Sequence, residues 1–471
     1  MERGPQRQPD EVASPALFAP EVGERGGGGL AVGRASWLSG GGARVAVALV
    51  WSLLLFIAFK PGLMSADSFT MLTEGLRGEY SDWHSPFVAF LLGKTFWLVG
   101  SPWPILCVQL LGLSLGGAAL LRDASGRRGL WALVLLSVFL VLPSTWAIGV
   151  TLWKDVLNGV ALLWCVLLRV RGRTRWALVF LVAATLTRHN ALIASVALAP
   201  WVVAGFAWVR ERWGRRVMAS IALVLVLAVL PGLVERAASV RRGWIGGSLF
   251  IFDAAGLYVR VPEAMDASPL FSLGWNWDRT TPAKLFDPRN VAPMLWGDPA
   301  QGSVSNAQLR AAKEPLTREW LRLVRTYPGA YLAHRLEVFA GTLGVGGTLA
   351  PYHPYLDANE YGLKLRTHTA LYRAWVALRD RWPEPFFRGG VWMLAALGLV
   401  GVGWRQRKHD GGRVFWVAAS GVLYGLSYLP LSVSSEFRFF FWTVVSVFAA
   451  SALWLVPSAS ENASTVRRGG V

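Results

Sequence analysis

Ten apolar runs, most of them bounded by arginine, constrain what this chain can become. They lie at 43–62, 104–121, 129–147, 154–169, 176–188, 190–209, 216–234, 388–404, 413–431 and 438–456. The first of them is about 30 Å long as a helix, the thickness of a bilayer's hydrocarbon core. Only 16% of the residues are charged, against about 25% in a soluble domain. The expected fold class is therefore an all-α polytopic membrane protein with about ten transmembrane helices. The formal net charge of +18 raises nucleic acid as a partner. The basic residues sit at the ends of the apolar runs, however, which fits membrane topology and anionic lipid headgroups and argues against nucleic-acid binding. Cys107 and Cys165 both lie inside apolar runs and read as small buried hydrophobes, with neither disulfide nor metal spacing.

One further stretch, 86–100, is apolar but short and contains Lys94. Whether it crosses decides everything after it. If it rests in the outer leaflet as a re-entrant or juxtamembrane helix, the basic connections around Arg122–Arg128, Arg169–Arg175, Arg210–Arg216, Arg405–Arg413 and Arg467–Arg468 all fall on the cytoplasmic side. If it crosses, those from 122 to 216 flip outward, against the positive-inside rule. The expected organisation follows. Residues 1–42 form a disordered cytoplasmic tail, rich in Gly, Pro, Arg and Glu and unable to bury a core. Residues 43–234 form an N-terminal transmembrane module with its first outer loop at 63–103. Residues 235–387 form one large extracytoplasmic loop domain, with helical spacing at 307–326 and a Gly-rich apolar patch at 334–350. Residues 388–456 are the C-terminal helices and 457–471 a cytoplasmic tail.

This topology gathers polar groups on the outer side. The first outer loop brings Asp67, Glu74, Glu79, Asp82 and His84; the start of the run at 154 brings Lys154-Asp155. The turn after 187 brings Arg188-His189-Asn190, the last outer turn brings Glu436 and Arg438, and the large loop brings His334-Arg335. Each group also has a plain reading. Lys154-Asp155 can be an interfacial ion pair beside a Trp anchor, Arg188-His189-Asn190 a helix-capping turn, Glu436 and Arg438 a mutual pair, and Asp67 part of a helix start after Ser65. The functional reading rests on convergence, because the centres of the apolar runs carry almost no charge. Ion-coupled transporters place ionisable groups near the midplane; here the charges sit at the ends, which suits a substrate anchored in lipid with its polar head at the surface. Carboxylates can accept a proton from an acceptor hydroxyl or amine, and Arg and Lys can neutralise a leaving phosphate. No zinc-protease, Cys/His metal or serine-elbow motif is present in a suitable setting.

The acidic MSADSF at 64–69, the re-entry DWHSPF at 82–87 and the basic turn LLRDASGRR at 120–128 resemble the N-terminal part of the GT-C superfamily of polytopic glycosyltransferases. The likeness is to the branch of protein O-mannosyltransferases and aminoarabinose transferases. Asp155 in LWKDVLNG matches, more loosely, that pattern's second outer acidic position, and Ser85 stands where its first proline would be. The resemblance implies an enzyme of the cell (inner) membrane that takes a sugar from a polyprenyl-phosphate donor to an extracytoplasmic acceptor, a lipid, glycan or protein. It implies Asp67 as base, Asp82 and His84 at the acceptor site and Asp155 assisting. Lys154, Arg188 and Arg438 would hold the lipid phosphate, with His189, Asn190 and Glu436 in support. Relatives differ on a divalent metal, and this sequence leaves that open. The rivals are a transporter or flippase for a lipid-linked saccharide and a non-catalytic membrane scaffold.

Overall fold

The computed structural model describes residues 40–188, 190–347, 351–382 and 384–456. His189 and both tails, 1–39 and 457–471, lie outside the described residues. The protein is a helical membrane-type bundle. Among the described residues, five helices are long and apolar enough to cross a membrane: α1 (Gly41–Phe59) first, then Trp103–Leu120, Trp213–Ala237, Arg413–Leu431 and Phe437–Leu455. A sixth is possible if Gly126–Val141 and Pro143–Gly149, bent by 53°, make one crossing. The bend falls at Leu142-Pro143, where proline cannot continue the hydrogen-bond ladder.

Between α1 and the next long helix lie α2 (Ala66–Arg77) and α3 (Pro86–Val99). α3 has 14 residues, about 21 Å of helix, which is short of a straight crossing. It packs chiefly on α2. The two helices meet at Gly75 and Gly93, where a Cβ on either would overlap the backbone of the other helix. Small residues permit this close approach, and nothing larger fits. Replacing Gly75 by valine should therefore force the hairpin apart and cost at least about 1–3 kcal/mol, visible as a lower melting temperature of the detergent-solubilised protein.

The chain continues through α4 (Trp103–Leu120), the bent pair α5 (Gly126–Val141) and α6 (Pro143–Gly149), and α7 (Lys154–Val170). Next come α8 (Thr174–Thr187), α9 (Ala191–Val203) and α10 (Trp213–Ala237). α8 follows its apolar run closely with 14 residues, whereas α9, with 13, covers only part of the run at 190–209. α9 is interrupted by nothing but Pro200 and then breaks at 204–206.

The arginine-bearing turns meet at one end of this bundle. Arg44, fully buried at the start of α1, donates to the carbonyls of Arg122, Ala124 and Gly129. Arg171 pairs with Asp123 and donates to the Ala119 carbonyl, while Arg169 donates to Trp201. α15 (Gly389–Gln406), α16 (Arg413–Leu426) and α17 (Phe441–Leu455) complete the bundle. Phe441 sits against Gly159 near the start of α7, and Phe448 against Gly117 near the end of α4. α17 thus runs alongside α7 toward the arginine end, where Arg413 donates to the Val456 carbonyl.

Residues 235–387, expected as one loop domain, divide in two. The first part is a cap with its own core. It contains α11 (Gly246–Arg260), α12 (Lys313–Thr326) and α13 (Pro328–Thr342), which enclose Phe252, Tyr258, Trp275, Met294 and Leu316. The helical spacing at 307–326 is matched by Asn306–Ala311 and α12. The second part, 351–369 with α14 (Ala370–Arg381), is a strap that packs onto the main bundle through Tyr352, Tyr361, Leu365, Tyr372 and Trp375.

Candidate functional site

Backbone pairing builds the site at the end of the bundle away from the arginine turns. Leu63 forms a parallel bridge to Thr151: its amide donates to Val150, and its carbonyl accepts from Leu152. The Ser68 hydroxyl donates to the Leu152 carbonyl, and the Trp153 indole donates to the Ser65 hydroxyl. The start of α2 is thereby locked to the start of α7. Ser65 occupies the N-cap, so Asp67 falls in the first turn of α2, where the helix dipole favours a carboxylate. From the cap, residues 289–291 pair with 433–435, Ser435 donating to Arg289 and Val291 to Val433. That pairing sets the short 3-10 turn Phe437–Phe440 and with it Arg438.

Arg438 is the hub. Its guanidinium lies 2.8 Å from Asp67 and 2.5 Å from Glu436, and its face stacks 4.6 Å from the Trp153 ring. Lys154 lies 3.4 Å from both His84 Nδ1 and the Trp83 carbonyl. Burial opposes ionisation of Asp67, but Arg438, Lys154 and His84 around it outweigh that and hold its carboxyl well below the usual carboxylate range. Asp67 keeps 39% of its side-chain surface accessible. It opens into a recess of about 550 Å³ together with Thr70, Ser81, Trp83, His84, Trp296 and Asn306. Trp83 and Trp296 stand 5.8 Å apart on its wall.

The other half of the predicted constellation is adjacent but closed. Lys154 and Asp155 are neighbours in sequence, and they turn to different partners. Asp155, with 1% of its side chain accessible, pairs with Arg188, whose guanidinium faces Phe439 at 5.1 Å and Tyr428 at 5.7 Å. The gap beside Arg188, lined by Ser85, Leu186, Pro231 and Glu235, holds only about 10 Å³, about one water. Phe439 is shared, lying 5.8 Å from Arg438, so the two pairs are neighbours through one ring. Of these two pairs, as far as the described residues show, the Asp67 side is the one with room for a ligand. Asn190 is half-buried and opens α9 without a side-chain capping bond.

Asp82 binds backbone and does not itself line the recess. Its carboxylate accepts from the amides of Gly243 and Trp244, and its own amide donates to Arg241. It staples the first loop to the chain leaving α10. Asp82→Ala should cost about 1.5–3 kcal/mol, the range for losing hydrogen bonds to a charged acceptor, and expose 241–244 to limited proteolysis. Glu74 likewise shapes the loop, accepting from the Ser81 amide and hydroxyl; burial raises its pKa against those bonds.

His334 and Arg335, grouped with the other polar residues in the sequence, do not line the Asp67 recess. Both are buried, and they bind Asp253, with 2.9 Å from each to the same carboxylate oxygen, while Trp320 donates to the other. Arg335 also donates to Leu429 and Ser432. This knot fixes the cap to the turn before α17. Asp253 was passed over in the sequence because it sits inside an apolar helix with no local partner. His353 was also missed. From the strap, its ring nitrogen lies 3.2 Å from the Met64 carbonyl and 3.4 Å from Asp357, facing Trp153. Burial lowers its pKa, against Asp357. The aromatic and proline density of PYHPYLDANEYG was its only local signal.

A divalent metal does not fit the residues present. Among the described residues no three His, Cys, Asp or Glu side chains come together. The carboxylates that do gather, Asp67, Glu436 and Asp155, are already matched by Arg438 and Arg188. The chain matches no protein-family model, no curated protein and no solved structure.

Proposed function

We propose that this chain is a GT-C-like membrane glycosyltransferase that takes a sugar from a polyprenyl-phosphate donor to an extracytoplasmic acceptor. In this reading the apolar segments make ten crossings, both termini are cytoplasmic, and α2 and α3 rest in the outer leaflet. The arginine turns at one end and the Asp67 recess at the other support that orientation under the positive-inside rule. The observation that carries the reading is the recess itself. One ionised carboxylate, Asp67, sits among Arg438, Lys154 and His84 beside two tryptophans.

The chemistry is a displacement at the anomeric carbon with inversion. The acceptor oxygen or nitrogen bonds to that carbon as its bond to the phosphate oxygen breaks, and the electron pair leaves with polyprenyl phosphate. The acceptor's proton passes to Asp67. Arg438 and Lys154 neutralise the leaving phosphate. In the resting site these cations keep Asp67 a weak base. A donor phosphate that draws them away relieves that effect, so Asp67 becomes a stronger base only when donor is bound. Asp155 and Arg188 support the wall on which Phe439 and Arg438 rest.

The test uses proteoliposomes carrying a panel of fluorescent polyprenyl-phosphate sugars with candidate acceptors. Loss of sugar from the lipid supports the enzyme. Movement of intact donor between leaflets with no loss of sugar supports the flippase and sinks this reading.

A further inference from the structure

We infer that a membrane lipid with a phosphate head group binds in a second recess, between the end of α1 and the strap, with its chain in the groove between α1 and α4. This inference does not rest on glycosyl transfer. The recess has about 440 Å³ and is lined by Lys60, Lys364 and Arg366 with Ser101, Phe56 and Leu363. Among the described residues no carboxylate lines it, and it shares no lining residue with the Asp67 recess.

Three cations gathered without an acid make a local positive potential that attracts an anion. Among the described residues none of the three makes an ion pair with a carboxylate. The Lys60 ammonium is held 5.7 Å from the Phe56 ring and 5.4 Å from the Trp103 ring. Those ring faces fix a cation in place without neutralising it. Lys364 and Arg366 are brought to it by the strap. Tyr361 anchors the strap by stacking on Phe69, meeting Phe96 edge-on and sharing a 2.5 Å hydrogen bond with Thr73.

The second observation concerns the tail. Below the recess an apolar groove of about 310 Å³ runs along α1 and α4, lined by Leu49, Leu53, Phe56, Cys107, Leu110 and Leu111. Phe56 belongs to both spaces, so basic recess and apolar groove adjoin at its ring. α1 and α4 are both long and apolar enough to cross a membrane. A phosphate held by Lys and Arg above an acyl or isoprenoid chain matches this sequence of surfaces. Bound there, the lipid ties the strap to α1.

The experiment is native mass spectrometry of the full chain in detergent, titrated with dioleoyl phosphatidic acid, dioleoylglycerol and inorganic phosphate. The expected result is one retained phosphatidic acid, no retained dioleoylglycerol, and no displacement by millimolar inorganic phosphate. The triple variant Lys60→Gln, Lys364→Gln, Arg366→Gln should lower occupancy at least about tenfold. Leu53→Trp, which blocks the groove and changes no charge, should lower it too, and it carries the test if the triple variant loses its melting transition. Lys94→Gln, which lines neither recess, should leave occupancy unchanged. Equal retention by wild type and the Leu53→Trp or triple variant, or equal retention of dioleoylglycerol, overturns the proposal. Displacement by inorganic phosphate overturns the lipid as ligand and assigns the cations to a soluble anion.

Discussion

Asp67→Asn is expected to lower sugar transfer by about 10²–10⁴-fold, the usual contribution of a positioned general base, while the protein remains folded. Asparagine preserves the shape of the first turn of α2, and Arg438 keeps Glu436 as a partner at 2.5 Å. Because Asp67 is more than a third exposed, its pairing with Arg438 is screened by solvent. Loss of its charge should change stability by no more than about 1 kcal/mol. The pH dependence has a definite sign. The folded-state pKa of Asp67 lies below its unfolded value, so its stabilising contribution is complete above the ordinary carboxylate pKa. It fades as pH falls toward the folded value. Acid melting curves of wild type and Asp67→Asn should therefore converge at low pH and separate above about pH 4. Equal transfer by the two proteins would remove Asp67 from the chemistry.

Asp155 and Arg188 give the second large effect, and it concerns stability first. Both side chains are nearly inaccessible, so Asp155→Leu strands a buried guanidinium and should cost about 3–5 kcal/mol. The same holds for Arg188→Met, which strands the carboxylate. The double variant Asp155→Leu, Arg188→Met removes both charges and should recover most of that loss, since a buried ion pair is often replaceable by apolar residues of similar size. The account also expects this double variant to retain measurable transfer, because the pair acts through Phe439 and does not face the recess. A double variant that is as stable as wild type but inactive would make Asp155 a direct participant. Thermal melts and transfer rates on the same preparations separate these outcomes.

The legible and the hidden parts of this molecule differ for a physical reason. Apolar runs bounded by arginine report burial and charge along the chain, so the bundle helices were readable, and so was the grouping of the arginine turns. The convergence of Asp67, Lys154, His84 and Arg438 was visible only as shared sidedness. Their meeting depends on backbone pairing at Leu63–Thr151 and at Val291–Val433, which leaves no mark in local sequence. Asp82 illustrates the opposite limit. Its position in an acidic loop suggests chemistry, whereas its partners are two amides 161 and 162 residues away. The division of 235–387 into cap and strap was equally hidden, because both parts are aromatic and only tertiary contact separates their cores. Asp253 and His353 belong to this class: each takes its role from a distant partner.

In the proposed reaction the Asp67 recess breaks the bond between a sugar and a lipid phosphate. The most direct measurement is ³¹P NMR of a polyprenyl-phosphate sugar incubated with the full-length protein and acceptor extract. The account predicts conversion of the phosphodiester resonance to a phosphomonoester by wild type, with none by Asp67→Asn at equal donor binding. A phosphodiester that binds wild type and stays intact with every acceptor, or one that is cleaved equally by both proteins, contradicts it.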